Sequence, residues 1–130
     1  MLKNKKNVLL GGLLLISSLS IFATEVTKEL QQQYLQDGAK TFSAQKGKEL
    51  WESNNNGRSC TTCHTSSVKN QGKHKKTGKL IQPMAPSVNP KRLTDKRKVK
   101  KWLLRNCKWT LKRECSAQEK GDLLMWLSQQ

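Results

Sequence analysis

Acidic residues are scarce in this chain of 130 residues: nine Asp and Glu stand against 25 Lys and Arg, a formal charge of +16. Aromatic side chains make up only 5 % of the sequence, while charged ones make up 26 %. So little core-forming material excludes a large hydrophobic domain and calls for a disulfide, a metal or a cofactor as reinforcement. Long apolar runs are missing as well. The longest, "VLLGGLLLISSLSIF", has 15 residues, where a membrane crossing needs about 20. Cysteines and histidines are few: four of the former and two of the latter, His64 and His74.

The apolar run belongs to a segment unlike the remainder. "MLKNKKN" carries Lys3, Lys5 and Lys6 and no acid, the apolar stretch follows, and small Ala23 precedes Thr24. A basic start, a short apolar middle and a small residue at the exit make residues 1–23 a secretory signal peptide. Ile21, bulky at the third position before the cut, leaves an uncleaved membrane anchor as the alternative. The mature chain, residues 24–130, is then one small domain with 22 basic and 9 acidic residues, a net +13. In a cytosolic protein that excess would suggest nucleic acid. For an exported, periplasmic one it points to a solvated basic face, to steering toward an acidic partner, or to an anionic membrane surface.

Export gives "RSCTTCHTSS" its meaning. C-x-x-C-H outside the cytosol is the attachment signature of a c-type haem. Cys60 and Cys63, two residues apart, are spaced to add to the two vinyl groups of one porphyrin, and His64 follows as the first axial ligand of the iron. A zinc site completed by Cys107 and Cys115 fits poorly, because those two are separated by seven residues rather than two to four. A simple disulfide between Cys60 and Cys63 leaves His64 unexplained.

The flanking chain reads as helical. "SAQKGKELWES" predicts a helix over about residues 43–53, with Gly47 allowing a second helix to approach closely. In "CSAQEKGDLLMWLSQQ", Ser116 and Glu119 form a capping box and Leu123, Leu124 and Leu127 share a face. "EVTKELQQQYLQDG" predicts an earlier helix ending at Gly38. A terminal helix pair crossing at a glycine, with one haem between it and the middle of the chain, is the small all-α mono-haem cytochrome c pattern.

The sixth position on the iron has several candidates. Met84 lies in an irregular loop with Pro83, Pro86 and Pro90. One carbonyl of that loop could instead accept the Nδ1–H of His64. Met125 sits among Leu124, Trp126 and Leu127, where core packing accounts for it. His74 lies among lysines and glycines. In "DKRKVKKWLLRNC", capped by Asp95 or Thr94, Val99, Trp102, Leu103 and Asn106 fall at i, i+3, i+4 and i+7. Asn106 is thus an amide on an apolar stripe, which needs a partner: a neighbouring carbonyl, or the iron. If the haem takes Cys60 and Cys63, then Cys107 and Cys115 remain to pair in an oxidising compartment.

The stretches "CTTCH", "GKHKKTGK", "PMAPSVNP", "RLTD" and "RNC" followed by "REC" closely resemble the oxygen-binding c-type cytochromes of the sphaeroides haem protein family, over about Tyr34 to Leu127. Leu93 in "RLTD" stands where that family carries an aromatic. The resemblance implies a small all-α cytochrome c fold with a Cys107–Cys115 disulfide. It also implies His64 and Asn106 as axial ligands, binding of diatomic gases by the reduced protein, and electrons from a di-haem c-type cytochrome. As a hard neutral donor, an amide oxygen suits ferric iron better than ferrous. Two other functions remain open: a plain electron shuttle with Met84 or Met125 on the iron, and a zinc-stabilised structural module. Whether the protein is an electron carrier or a reductase of a small oxidant is open too.

Overall fold

The computed structural model describes residues 19–130, and the side chains of residues 25–130; the expected signal peptide falls largely outside them. No helix of the described residues is long and apolar enough to cross a membrane. Five helices and one small hairpin follow in order. They are α1 (Leu19–Gln36), α2 (Ala44–Glu52), α3 (Thr61–His64), β1 (Gly72–Lys73), β2 (Leu80–Ile81), α4 (Lys96–Leu111) and α5 (Ala117–Leu127).

The helix starts lie where their capping residues place them. Ser43 accepts a hydrogen bond from the Lys46 amide at the start of α2, and Asp95 does the same for Lys98 at the start of α4. Ser116 and Glu119 form both halves of the capping box on α5. Each satisfies amide donors that have no partner within the helix. Arg113 grips the Glu119 carboxylate through two hydrogen bonds of 2.7 Å. That guanidinium, with help from the Ser116 amide, holds Glu119 below the usual carboxylate range.

Two elements differ from expectation. The sequence leads the fourth helix only to Cys107, but it runs on to Leu111 and stops where Lys112 turns left-handed at φ 62°. No glycine or proline marks that stop. The lysine-rich "GKHKKTGKLI" forms a two-stranded antiparallel hairpin, with Gly72 opposite Ile81 and Lys73 opposite Leu80. Its turn is closed by His74, whose Nδ1 accepts from the Thr77 amide at 3.1 Å, and by Gly78 at φ 70°.

The core sits where α2 crosses α5 and α1 lies beside them. Leu30 and Tyr34 of α1, Trp51 of α2 and Leu123, Leu124 and Leu127 of α5 are buried together. The crossing is backbone on backbone: a Cβ on Gly47 would lie 2.1 Å from the Asp122 carbonyl oxygen. Buried Asp122 adds a polar clasp, its Oδ1 accepting from the Ser43 amide at 2.7 Å and from Gln118 Nε2 at 2.9 Å. Against Gly121 packs the Phe42 ring.

Gly47→Ala therefore forces the two helices apart. The expected loss is about 1–3 kcal/mol of stability, the range for overpacking a filled interior, read from denaturant unfolding of the variant beside the native chain. A variant of unchanged stability would contradict this crossing.

Candidate haem site

The single turn of α3 holds the C-x-x-C-H residues Cys60, Cys63 and His64. The Cys60 carbonyl accepts from the Cys63 and His64 amides at 3.3 and 3.1 Å, so Cys60, Cys63 and His64 are fixed relative to one another. Two neighbours seat this turn. Ser59 Oγ donates to the Trp51 carbonyl at 3.0 Å, tying it to α2. Gly72 of β1 lies on its other side, so close that a Cβ there would meet the Cys63 carbonyl oxygen at 2.1 Å.

His64 is held against aromatic walls. Its ring centroid is 5.2 Å from that of Trp51, which in turn lies 5.4 Å from Trp126. Burial, joined by the positive charge of Arg92, lowers the His64 pKa to about 4. At neutral pH the imidazole is thus uncharged and keeps a lone pair for a metal. Cys60 and Cys63 are the free cysteines. Burial pushes the Cys60 thiol up to about 11, while the Thr110 side chain beside it acts in the opposite direction. Two free thiols and a neutral imidazole in one helical turn suit covalent haem. Among the described residues no group of three or more His, Cys, Asp or Glu could hold a metal ion, so the zinc alternative has no ligand set.

Helix α4 comes down onto this turn at its C-terminal end. Thr110 lies against Cys60. Arg58, two residues before the motif, donates to the Trp109 carbonyl at 3.1 Å and lies 5.1 Å over the Trp109 ring. Cys107 and Cys115 are joined by a disulfide with a Cα–Cα distance of 5.5 Å, which ties α4 to the start of α5.

Asn106 precedes Thr110 by one helical turn. The apolar stripe of α4 is broader than its spacing suggests and splits in two. Cys107 and Thr110 are buried and Val99 and Leu103 pack on the core, whereas Trp102 and Asn106 form an exposed row beside them. Trp102 is 48 % exposed, with Arg105 5.2 Å above its ring. The Asn106 amide makes no side-chain hydrogen bond among the described residues.

The other candidates have structural contacts of their own. Met84 packs against the core, and its amide donates to the Val68 carbonyl at 2.8 Å. Met125 Sδ accepts from Gln129 Nε2 at 3.5 Å. His74 works in its hairpin turn. In the proline loop the Gln82 oxygen accepts from Arg92, and the Pro83 oxygen from both Arg92 and Asn89; among the described residues the His64 ring makes no hydrogen bond to this loop. Sequence reasoning missed Trp51 as the neighbour of His64, although Trp51 lies one turn from Gly47 on the same face. It also missed Thr110, Arg58 and Arg92; of these Arg58, in "RSCTTCHTSS", and Arg92, in "RLTD", stood in stretches singled out.

A one-turn C-x-x-C-H site beside a glycine-crossed helix pair defines a mono-haem c-type cytochrome, and the comparisons agree. Residues 37–127 match a family described as a domain of unknown function, DUF1924. The chain is 46 % identical over 92 residues to the cytochrome c-type protein SHP of Cereibacter sphaeroides, covering 67 % of this chain and 70 % of that one. It is 43 % identical over 68 residues to cytochrome c'' of Methylophilus methylotrophus, covering 52 % of this chain and 47 % of that one. The structure of oxidised SHP, described as an oxygen-binding cytochrome c, superposes with a TM-score of 0.74 at 40 % identity, covering 80 % of this chain and 96 % of that one. Oxidised cytochrome c'' from M. methylotrophus superposes with a TM-score of 0.67 at 29 % identity, covering 83 % and 94 %. The chain belongs to the sphaeroides haem protein family of c-type cytochromes, and its cofactor is a single haem c.

Replacing Cys107 and Cys115 together by Ala should cost about 2–3 kcal/mol, the loop-closure entropy of so short a ring. The measurement is urea unfolding of the holoprotein. A double variant as stable as the native protein would show that the bridge constrains nothing.

Proposed function

We propose that this is an exported, periplasmic cytochrome in which Cys60 and Cys63 carry the haem covalently and His64 and Asn106 are its axial ligands in the oxidised state. The haem supplies an iron centre that changes charge on electron uptake and can bind small gases. The chain supplies a neutral imidazole on one side and a hard amide oxygen on the other. Asn106 would supply a donor oxygen whose hold reduction would weaken, which would leave room for oxygen, nitric oxide or carbon monoxide. The observation that carries this reading is Asn106 itself. Its amide is exposed and makes no side-chain hydrogen bond among the described residues, one turn from the Thr110 that touches Cys60, and next to the disulfide that fixes the helix. The oxygen-binding character stated for the related SHP supports it.

Asn106→Ala should change the oxidised absorption and magnetic circular dichroism spectra strongly and the reduced spectra little. The wild-type ferrous protein should take up carbon monoxide. A ferrous wild type that is six-coordinate, low-spin and closed to carbon monoxide would establish instead a plain shuttle with Met84 or Met125 on the iron.

The electron donor that fits the charge is an acidic redox protein, and the resemblance points to a di-haem c-type cytochrome. The basic face is narrower than the lysine count suggests. Lys96 is paired with Glu29 and Lys98 with Asp95, and Lys101 lies 5.8 Å over Trp102. Lys73, Lys75, Lys76 and Lys79 of the hairpin are exposed and make no ion pair with the described residues. Charge-steered reduction slows as salt shortens the screening length from about 30 Å at 0.01 M to about 3 Å at 1 M. Stopped-flow reduction by the acidic donor should therefore slow across that range, and more weakly once these four lysines are changed to Gln. Rates indifferent to salt would remove the steering.

A further inference from the structure

Arg92 is a half-buried cation with no anion. All nine acidic residues lie in the described chain, and none of them forms an ion pair with it. Glu25, Glu29, Glu52, Asp95, Glu114 and Glu119 are paired with Lys28, Lys96, Lys48, Lys98, Lys108 and Arg113. Asp122 is buried in the α2–α5 crossing with Ser43 and Gln118. Arg92 has only neutral partners: Nε donates to the Pro83 carbonyl at 2.8 Å and one terminal nitrogen to the Gln82 carbonyl at 2.6 Å. Its remaining terminal nitrogen makes no hydrogen bond with the described residues. A guanidinium taken partly out of water and left without a carboxylate is costly, and evidence of the cost is its own lowered pKa, caused by burial.

The surroundings hold this charge beside the haem-binding turn. The loop that Arg92 grips is seated on Val68, whose carbonyl accepts from the Met84 and Ala85 amides at 2.8 and 3.0 Å. Val68 lies four residues beyond His64, and the Arg92 charge is felt by the His64 ring. Leu93, the next residue, is buried in the core with φ 59°, a left-handed conformation that a leucine adopts only under constraint. The Arg92 amide donates to the Asn89 carbonyl at 2.9 Å, and Thr94 Oγ1 donates to Lys91. The backbone on both sides of Arg92 is thus fixed, and the two carbonyl contacts hold the guanidinium itself.

The cofactor of this protein brings two carboxylates of its own, the haem propionates. We propose that Arg92 receives one of these propionates and thereby helps to set the reduction potential of the iron. A planar fork with a free terminal nitrogen suits a carboxylate, and a charge-assisted pair is stronger than the carbonyl contacts alone. A fixed cation near the iron disfavours the ferric state, so it raises the potential. The inference rests on haem at Cys60, Cys63 and His64, but it is independent of whether Asn106 occupies the sixth position.

The test uses three holoproteins: Arg92→Gln, Arg92→Lys and Asn89→Ala. The last removes a second donor to the Pro83 carbonyl and leaves the charge in place. Resonance Raman reads the propionate bending band, and spectroelectrochemistry reads the potential. The expected result is a shifted band with a clear fall in potential for Arg92→Gln, a shifted band with a smaller fall for Arg92→Lys, and neither change for Asn89→Ala. A propionate band unmoved in Arg92→Gln would overturn the proposal. Should that variant fail to accumulate, an unmoved band in Arg92→Lys would overturn it equally. Equal changes in Asn89→Ala and Arg92→Gln would also overturn it, because Arg92 would then act only by pinning the loop. The potential also answers to the sixth ligand, but the propionate band reports the carboxylate itself, so a band that does not move is distinct from failure of the Asn106 reading.

Discussion

The position of His64 in the C-x-x-C-H turn depends on one close backbone contact, the approach of α2 to α5 at Gly47 and Asp122. Without a Cβ at residue 47 the two helices meet almost carbonyl to Cα. That contact fixes Trp51 one turn further along α2, and Trp51 forms the wall against which the His64 ring rests. The Ser59 hydroxyl then fastens the attachment turn to the Trp51 carbonyl. A small chain with few aromatics thus places one of its four tryptophans where a single ring supports both the helix crossing and the haem ligand. Trp51 is buried with its Nε1 unsatisfied, a cost that its packing must offset.

The second mount is electrostatic. His64 is neutral because it is buried and because a cation, Arg92, lies within reach of it. Both effects favour an imidazole lone pair over an imidazolium proton. The same cation is fixed to a loop that is itself seated on Val68. The segment after the attachment turn, which reads as irregular and rich in proline, therefore acts as a rigid frame behind it.

Much of this was legible in the chain. The C-x-x-C-H turn, the capping residues Ser43, Asp95 and Ser116, the close-approach glycine Gly47 and the buried face of α5 all follow from short-range rules that read a few neighbouring residues. What escaped depends on contacts between distant residues. Nothing local in "KWTLKREC" ends a helix, so α4 outruns its expected end and stops at a left-handed lysine. Helical spacing put Asn106 on the stripe of Val99 and Leu103. It could not show that this stripe divides into a buried half and an exposed half, because that depends on how far α4 leans on the core. The hairpin escaped because its lysines carry no alternating apolar pattern. Arg92 was legible as part of a motif but not as a charge without a counter-ion, since that requires knowing that none of the nine acids reaches it.

Helix α4 is tied at its two ends by side chains and a disulfide, and between them Val99 and Leu103 rest on the core. Near its start, Lys96 pairs with Glu29 and Lys100 donates to Gln33 at 3.3 Å, both on α1. At its finish the disulfide, Arg58 and Thr110 secure it to α5 and to the attachment turn. Between these anchors the row of Trp102 and Asn106 is exposed. A helix fastened this way keeps its register on the core whichever way the side chain of Asn106 turns. If that amide is the sixth ligand, losing its bond requires rotation about two side-chain torsions and no displacement of the backbone, because the disulfide one residue away holds the chain. The site can then open without unfolding the domain. A thin core with little stability to spare favours such an arrangement over one in which the ligand leaves by moving a whole loop.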